Sequence, residues 1–370
     1  MRKILLSRKF LKDLDYIMLF AAILIVCFGI ANIFSATHNK CGFSYFELQS
    51  IWLIVGVIVV YILLNFDYKT IGSYCGFIYW SGVALLLFND ITSRAVKGAA
   101  SWIRIGNRAI EPGEFVKIGL ILMLAKKLDD MEGNINNIKN FLTLCAYAAI
   151  PMILIIVQPN LGMALICFFI TLAIFFISNL NLKVIIYGFL SMIPISVFIW
   201  FSGLMKSYQK DRIISFLNPE LYQQDTAFQL MQSIIGIGSG RLFGSGYLKG
   251  VQVSGGYIPE VHTDFIFAVV GEEWGLIGAV ILLIFFGILL YRMINAAKES
   301  KDIFGRLICV GTAASFIFSI FQNIGMTIGI MPIAGITLPF MSYGGSSILT
   351  NFISLGLVLN VYMRRRKINF

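Results

Sequence analysis

The chain has 370 residues, of which 58% are hydrophobic and only 13% charged, and its mean hydropathy is +0.84. A soluble globule needs roughly 25% charge to cover its surface, so composition excludes one and requires most of the chain to face lipid or other helices. The net charge of +10 accompanies no aromatic-basic module, which argues against nucleic acid as a partner; spread over loops, it is what orientation in a membrane uses.

Arg2, Lys3, Arg8, Lys9 and Lys12 precede an apolar run over 16–36. The layout resembles a secretory signal, but 21 residues exceed a signal's apolar region and suffice to span a bilayer. This run is read as a first transmembrane helix that stays. Further apolar runs cover 48–66, 71–88, 141–157, 161–180, 184–201, 265–291, 307–331 and 346–363. They bring the count to nine. A tenth candidate, 115–125, is short and carries Lys117, with Glu114 just before it.

Charge bias decides the tenth. The basic N-terminus and Arg364-Arg365-Arg366-Lys367 both favour the cytoplasm, which requires an even number of crossings. The expected fold is therefore an all-α polytopic membrane protein with ten transmembrane helices and a large extracellular loop between helices seven and eight. It is one membrane domain over 1–370: a cytoplasmic 1–15, helices one to seven over 16–201, the loop over 202–263, helices eight to ten over 264–363, and a cytoplasmic 364–370. Under this topology 18 of the 29 Lys and Arg lie inside. Ten of the eleven outside fall in two segments, 94–117 and 206–249. Such clusters suit an anionic ligand, although long loops also cross regardless of charge.

The cysteines (Cys27, Cys41, Cys75, Cys145, Cys167 and Cys309) lack metal-ligand spacing, and most sit in apolar runs, so no disulfide framework follows. In the loop, Phe228, Leu230, Met231, Ile234, Ile235 and Ile237 alternate with Gln229, Gln232 and Ser233, which predicts an interfacial or re-entrant helix. The glycine-rich stretch over 236–246 follows no strand and opens no βαβ unit, so it reads as a flexible loop rather than a nucleotide site.

Four polar groups of residues fall on the outer side. The first runs from Trp102 and Arg104 to Glu111-Pro112-Gly113-Glu114, where Pro112 suits the first turn of a helix and Glu114 can pair with Lys117 at i,i+3. A structural ion pair and a substrate contact are both open there. The second is the turn Gln158-Pro159-Asn160-Leu161-Gly162, ordinary turn residues. The third holds Glu260, His262, Asp264, Glu272 and Glu273 against an apolar run. Helical geometry separates Asp264 from the two glutamates, which are expected to face the bundle and bind helices together. Asp264 is left as a single surface acid, either a helix cap or a catalytic group. The fourth, over 338–347, leads into helix ten with Ser346 and Ser347 at its start, an anion site or a helix cap.

Together WIRIG, EPGEFVKIGLIL, QPNLG, FLNPE, QSIIGIGSGRLFGSG, PEVHTDFIFAVVGEEWG and LPFMSYGGSS resemble the SEDS proteins, bacterial cell-wall glycosyltransferases typified by RodA and FtsW. The resemblance covers nearly the whole chain with its motifs in order. The stretch from Gln322 to Phe340 looks more like RodA, the elongation member, than like the division or sporulation members. Asn160 stands where most members have Asp, and Glu111 and Gly113 stand where Gln and Ser are common. A carboxylate role at the turn of Asn160 is thereby put in doubt, while Asp264 matches the family's essential aspartate.

The resemblance implies polymerisation of lipid II into glycan strands on the outer face of the bacterial cytoplasmic membrane. In that reaction a sugar hydroxyl needs a base, and a polyprenyl pyrophosphate leaves and needs positive charge. Asp264 is then the base. Arg104, Lys117, Arg212, Ser346 and Ser347 are pyrophosphate contacts, with Trp102, Glu114 and His262 as further substrate-binding candidates. A divalent cation such as Mg2+ is a cofactor candidate for the leaving group, although the sequence shows no metal-ligand cluster. A class B penicillin-binding protein transpeptidase is the implied partner. Rival readings are a lipid II flippase and a scaffold that only recruits the transpeptidase. The absence of charge in helices five to seven and of any repeat speaks against the flippase.

Overall fold

The computed structural model describes residues 12–92, 101–105, 108–203, 207–217 and 227–365. The basic N-terminal cluster before Lys12, the outer cations Arg94 and Lys97, the FLNPE motif beyond Leu217, and Arg366-Lys367 lie outside the described residues.

Among the described residues, ten helices of 17 residues or more stand where the apolar runs are. They are α1 (Tyr16–Cys41), α2 (Ser44–Asn65), α4 (Cys75–Thr92), α5 (Pro112–Asp130), α6 (Ile138–Val157), α7 (Leu161–Ile177), α8 (Leu182–Phe201), α12 (Ile266–Glu299), α13 (Ile303–Thr327) and α14 (Gly345–Met363). Six of them are long and apolar enough to cross a membrane by length and composition, and α4, α7 and α8 contain shorter apolar segments. Short helices fill the connections: α3 (Tyr68–Ser73), α9 (Ser207–Leu217), α10 (Phe228–Ser239) and α11 (Val251–Ser254). Among the described residues the one departure from an all-helical chain is a hairpin of β1 (Ile103–Ile105) and β2 (Arg108–Ile110), antiparallel with Ile103 opposite Ile110.

The short tenth candidate is in fact the 19-residue α5, extended at both ends by polar residues. It is buried along nearly its whole length and packs against α4, α6, α7, α13 and α14. Surrounded by protein rather than lipid, it can carry charges that a lipid-facing helix could not.

Asp15 begins α1 by accepting from the N–H of Met18, and its other oxygen takes Arg292 Nε at 2.6 Å. Arg365, just past α14, pairs with Glu299 at the end of α12 and donates to the carbonyl of Asp13. Both ends of the described chain thus meet the same end of α12.

The 34-residue α12 is two helices in line. Gly275 has φ 63 and ψ −161, a region essentially reserved for glycine, which interrupts the hydrogen-bond ladder. The glycine-rich loop read from sequence as flexible fills the gap. The N–H groups of Ser245 and Gly246 donate to the carbonyls of Glu272 and Glu273, and those of Leu276 and Ile277 donate to the carbonyls of Arg241 and Leu242. Gly240 lies against the carbonyl of Gly271, with no room for a side chain. Backbone groups freed by a broken helix must find partners where water is absent, and this loop supplies them.

Glu272 and Glu273, just before the break, are buried. Glu272 accepts from the N–H groups of Gln252 and Val253 at the start of α11, at 2.7 and 3.0 Å. Glu273 accepts from Ser35 of α1. They hold elements together, as the geometry of the sequence suggested.

Candidate functional site

The start of α5, the start of α7, the turn before α12, the strand-like segment over 331–344 and the start of α14 converge at one end of the bundle. Helix α12 begins at Ile266, two residues after Asp264, and its N-cap position is Phe265, without a side-chain cap bond. Asp264 thus stands one residue ahead of the N-cap position. Its backbone carbonyl is held at 2.8 Å by Nδ2 of Asn323, a buried residue in the apolar α13, which also donates to the carbonyl of Ile336 at 2.7 Å. Its carboxylate rests beside Gly335, whose φ of +64 favours glycine and where a Cβ would stand 3.6 Å from Oδ2, an ordinary contact. Ser342 secures the same turn: its hydroxyl donates to the carbonyl of Thr263 and accepts from the N–H of Leu338.

Glu114 and Lys117 form the i,i+3 pair expected of them, 2.9 Å apart and almost fully buried. Thr350 of α14 adds a hydroxyl donor to the same Glu114 oxygen at 2.8 Å. The structural ion pair is thus present. It does not exhaust Lys117, whose ammonium has three donors.

Glu111, just ahead of α5, accepts at Oε1 from Asn160 Nδ2 at 2.9 Å, and its N–H donates to Ser346 Oγ at 3.3 Å. Burial pushes the Glu111 carboxyl up to about 8; the negative charges of Glu114 and Asp264 add to the rise, and Lys117 and the Asn160 hydrogen bond oppose it. That Asp264 acts on Glu111 places both carboxyls in one electrostatic neighbourhood.

Helix α14 starts at Gly345 after Gly344, with no side-chain cap. The serines do not cap it. Ser346 takes the Glu111 N–H, and Ser347 Oγ lies 3.0 Å from Thr337 Oγ1. The N–H groups of the first turn of α14 thus form an uncapped positive helix end beside the acids.

His262 lies apart from this cluster. It stacks on Tyr45 of α2 with ring centroids 5.1 Å apart, and its carbonyl accepts from the N–H of Tyr343 at 2.9 Å. Trp102 stands before β1, 43% exposed. Arg104 is placed within β1 and Arg212 within α9; their side chains lie outside the described residues. The structure therefore gathers Asp264, Glu114, Lys117, Ser346 and Ser347, and sets His262 and Trp102 at other positions on the same end. Sequence reasoning passed over Asn323, Thr350, Thr337 and Ser342. The available signal was polarity inside apolar helices: Asn323 and Thr350 are buried in α13 and α14, where polar side chains are costly unless used.

A family model for cell cycle proteins of the FtsW, RodA and SpoVE kind matches residues 13–367. The chain belongs to this family. The SEDS chain is 30% identical to the peptidoglycan glycosyltransferase RodA of Treponema pallidum over 95% of its own length and 98% of that protein. It is 31% identical to a probable peptidoglycan glycosyltransferase FtsW of Geobacter metallireducens, over 98% of both chains. A solved structure of a peptidoglycan synthase complex, concerned with coordination of polymerization and crosslinking, contains a chain that superposes with a TM-score of 0.82 at 28% identity, covering 95% of this chain and 98% of that one.

Proposed function

We propose that this SEDS protein joins lipid II units into glycan strands on the outer face of the cytoplasmic membrane, with Asp264 as general base. The enzyme class follows from the family, whose relatives of both kinds carry the name peptidoglycan glycosyltransferase. The observation that supports the site is the convergence of Asp264, just ahead of α12, with the Glu114–Lys117 pair and the start of α14, which has no side-chain cap.

In this reading the acceptor sugar hydroxyl passes its proton to the Asp264 carboxylate as its oxygen bonds to the anomeric carbon of the donor. The bond from that carbon to the pyrophosphate breaks, and its electron pair leaves with the polyprenyl pyrophosphate. Lys117, Arg104, Arg212 and the first turn of α14, with Ser346 and Ser347, meet the growing negative charge. Glu114 orients Lys117, and Trp102 and His262 border the space for the sugars. Among the described residues no three His, Cys, Asp or Glu side chains form a metal-holding group. Mg2+ needs only one or two carboxylates beside substrate phosphates, and it stays a proposed cofactor for the leaving group.

The ten long helices are taken as ten spans with both termini cytoplasmic and 202–263 as the large outer loop. The meeting of both chain ends on α12 supports an even number of crossings. The stretch from Gln322 to Phe340 favours a role in elongation and rod shape over division or sporulation. A class B penicillin-binding transpeptidase as partner is supported by the similarity to a chain of a synthase complex.

The interruption of α12 at Gly275, the buried Glu272 and Glu273 beside it and Pro194 within α8 favour a lipid II flippase, since transporters use broken helices and buried ionisable groups. The experiment that separates the two supplies lipid II to the full chain with its transpeptidase in vesicles. Glycan polymer on a gel supports the polymerase. Lipid II that crosses the vesicle wall while no polymer forms overturns it.

A further inference from the structure

The contact between Glu111 and Asn160 has a direction imposed by the fold. Asn160 is the N-cap of α7, and its Oδ1 accepts from the N–H of Met163 at 3.1 Å. With that oxygen committed, the amide can present only Nδ2 to Glu111, and position 111 must accept. A carboxylate at 160 would reverse the demand. One oxygen would cap the helix, the other would face position 111, and position 111 would have to donate, as a Gln amide does.

The contact stands at a junction. Glu111 is joined through its own N–H to Ser346 of α14. Two residues beyond Asn160, Gly162 lies against the carbonyl of Ala334 with no room for a side chain. The next residue, Gly335, borders the Asp264 carboxylate. Gly113 lies against Met163, where a Cβ would stand 3.0 Å from its Cγ. The ends of α5, α7 and α14 and the seat of Asp264 are therefore in register through this point.

We propose that Glu111 and Asn160 are a donor–acceptor lock, a positioning pair that sets the start of α5, with Glu114 and Lys117, against Asp264. The inference rests on the polymerase reading above. The groups facing Glu111 are Glu114 and Lys117 from α5, Asn160 from α7, Ser346 from α14 and Asp264 from the turn before α12.

The direction of this hydrogen bond makes an asymmetric forecast. Glu111→Gln keeps an acceptor, its amide oxygen, opposite Asn160, and retains most activity. Asn160→Asp sets two carboxyls face to face. They share a proton at low pH, and the contact fails as pH rises and both ionise. The double variant Glu111→Gln/Asn160→Asp restores a donor and an acceptor in the opposite sense.

The test measures lipid II polymerisation and thermal unfolding of the full chain with its partner in detergent, from pH 6 to 9, for the native protein and the three variants. Asn160→Asp is expected to lose about tenfold in rate at the alkaline end and less at the acid end. The double variant is expected within about threefold of the native rate throughout. Unfolding temperatures should follow the same order. Asn160→Asp as active as the native protein at every pH, or a double variant no better than Asn160→Asp in rate and unfolding temperature, overturns the lock. If the native protein itself makes no polymer, the polymerase reading fails, and the unfolding temperatures alone decide the lock.

Discussion

At the scale of single residues, the site is an economy of buried charge. Lys117 and Glu114 are nearly inaccessible and depend on each other. Lys117→Met should strand Glu114 and cost about 3–5 kcal/mol, read as a fall in the unfolding midpoint. Glu114→Gln/Lys117→Met removes both charges and should recover most of that stability. Polymerase activity should stay lost in the double variant, because the cation that meets the pyrophosphate is gone. Activity that returns with stability would reduce the pair to a structural bridge. Glu111 gives a second prediction. Its carboxyl rises from the ordinary 4.5 to about 8 in the folded protein. Below 4.5 both folded and unfolded chains hold the proton, so there is no penalty. As pH climbs toward about 8 only the unfolded chain releases it, and stability declines. Glu111→Gln should flatten that decline, visible as a gap in unfolding temperature that grows from pH 5 to pH 8.

At the scale of elements, hydropathy located the long helices because a span is a property of composition over some twenty residues. It lost what depends on partners distant in sequence. The apolar run at 115–125 was visible, but the polar ends of α5 read as loop until five neighbouring helices covered them. The glycine-rich stretch looked flexible because its hydrogen bonds go to a break thirty residues away, and a lone glycine such as Gly275 within an apolar run gives no hint of a positive φ. Gly240→Ala should drive a methyl into the carbonyl of Gly271 and cost about 1–3 kcal/mol. Gly287→Ala in the same helix, where a Cβ would meet nothing within 4 Å, should be tolerated. Equal unfolding midpoints for the two variants would mean that the loop does not hold the break.

At the scale of the whole molecule, the chain gathers chemistry at one end and structural pairing at the other. The latches of Asp15 with Arg292 and Arg365 with Glu299 tie both chain ends to α12. The motifs named candidate residues for that end, because acids beside apolar runs stand out in sequence. They could not show that the Asp264 carbonyl is held by Asn323, or that Glu111 meets Asn160 across 49 residues. The account rests on Asp264 as the base. The most direct measurement compares the rate of glycan synthesis from lipid II by the native chain, Asp264→Asn and Asp264→Glu, each with the partner and each shown to unfold at the native temperature. Loss of a general base costs on the order of 10²–10⁴-fold, so Asp264→Asn should make almost no polymer and Asp264→Glu should retain a measurable fraction. Glycan strands made by Asp264→Asn at the native rate would contradict the account.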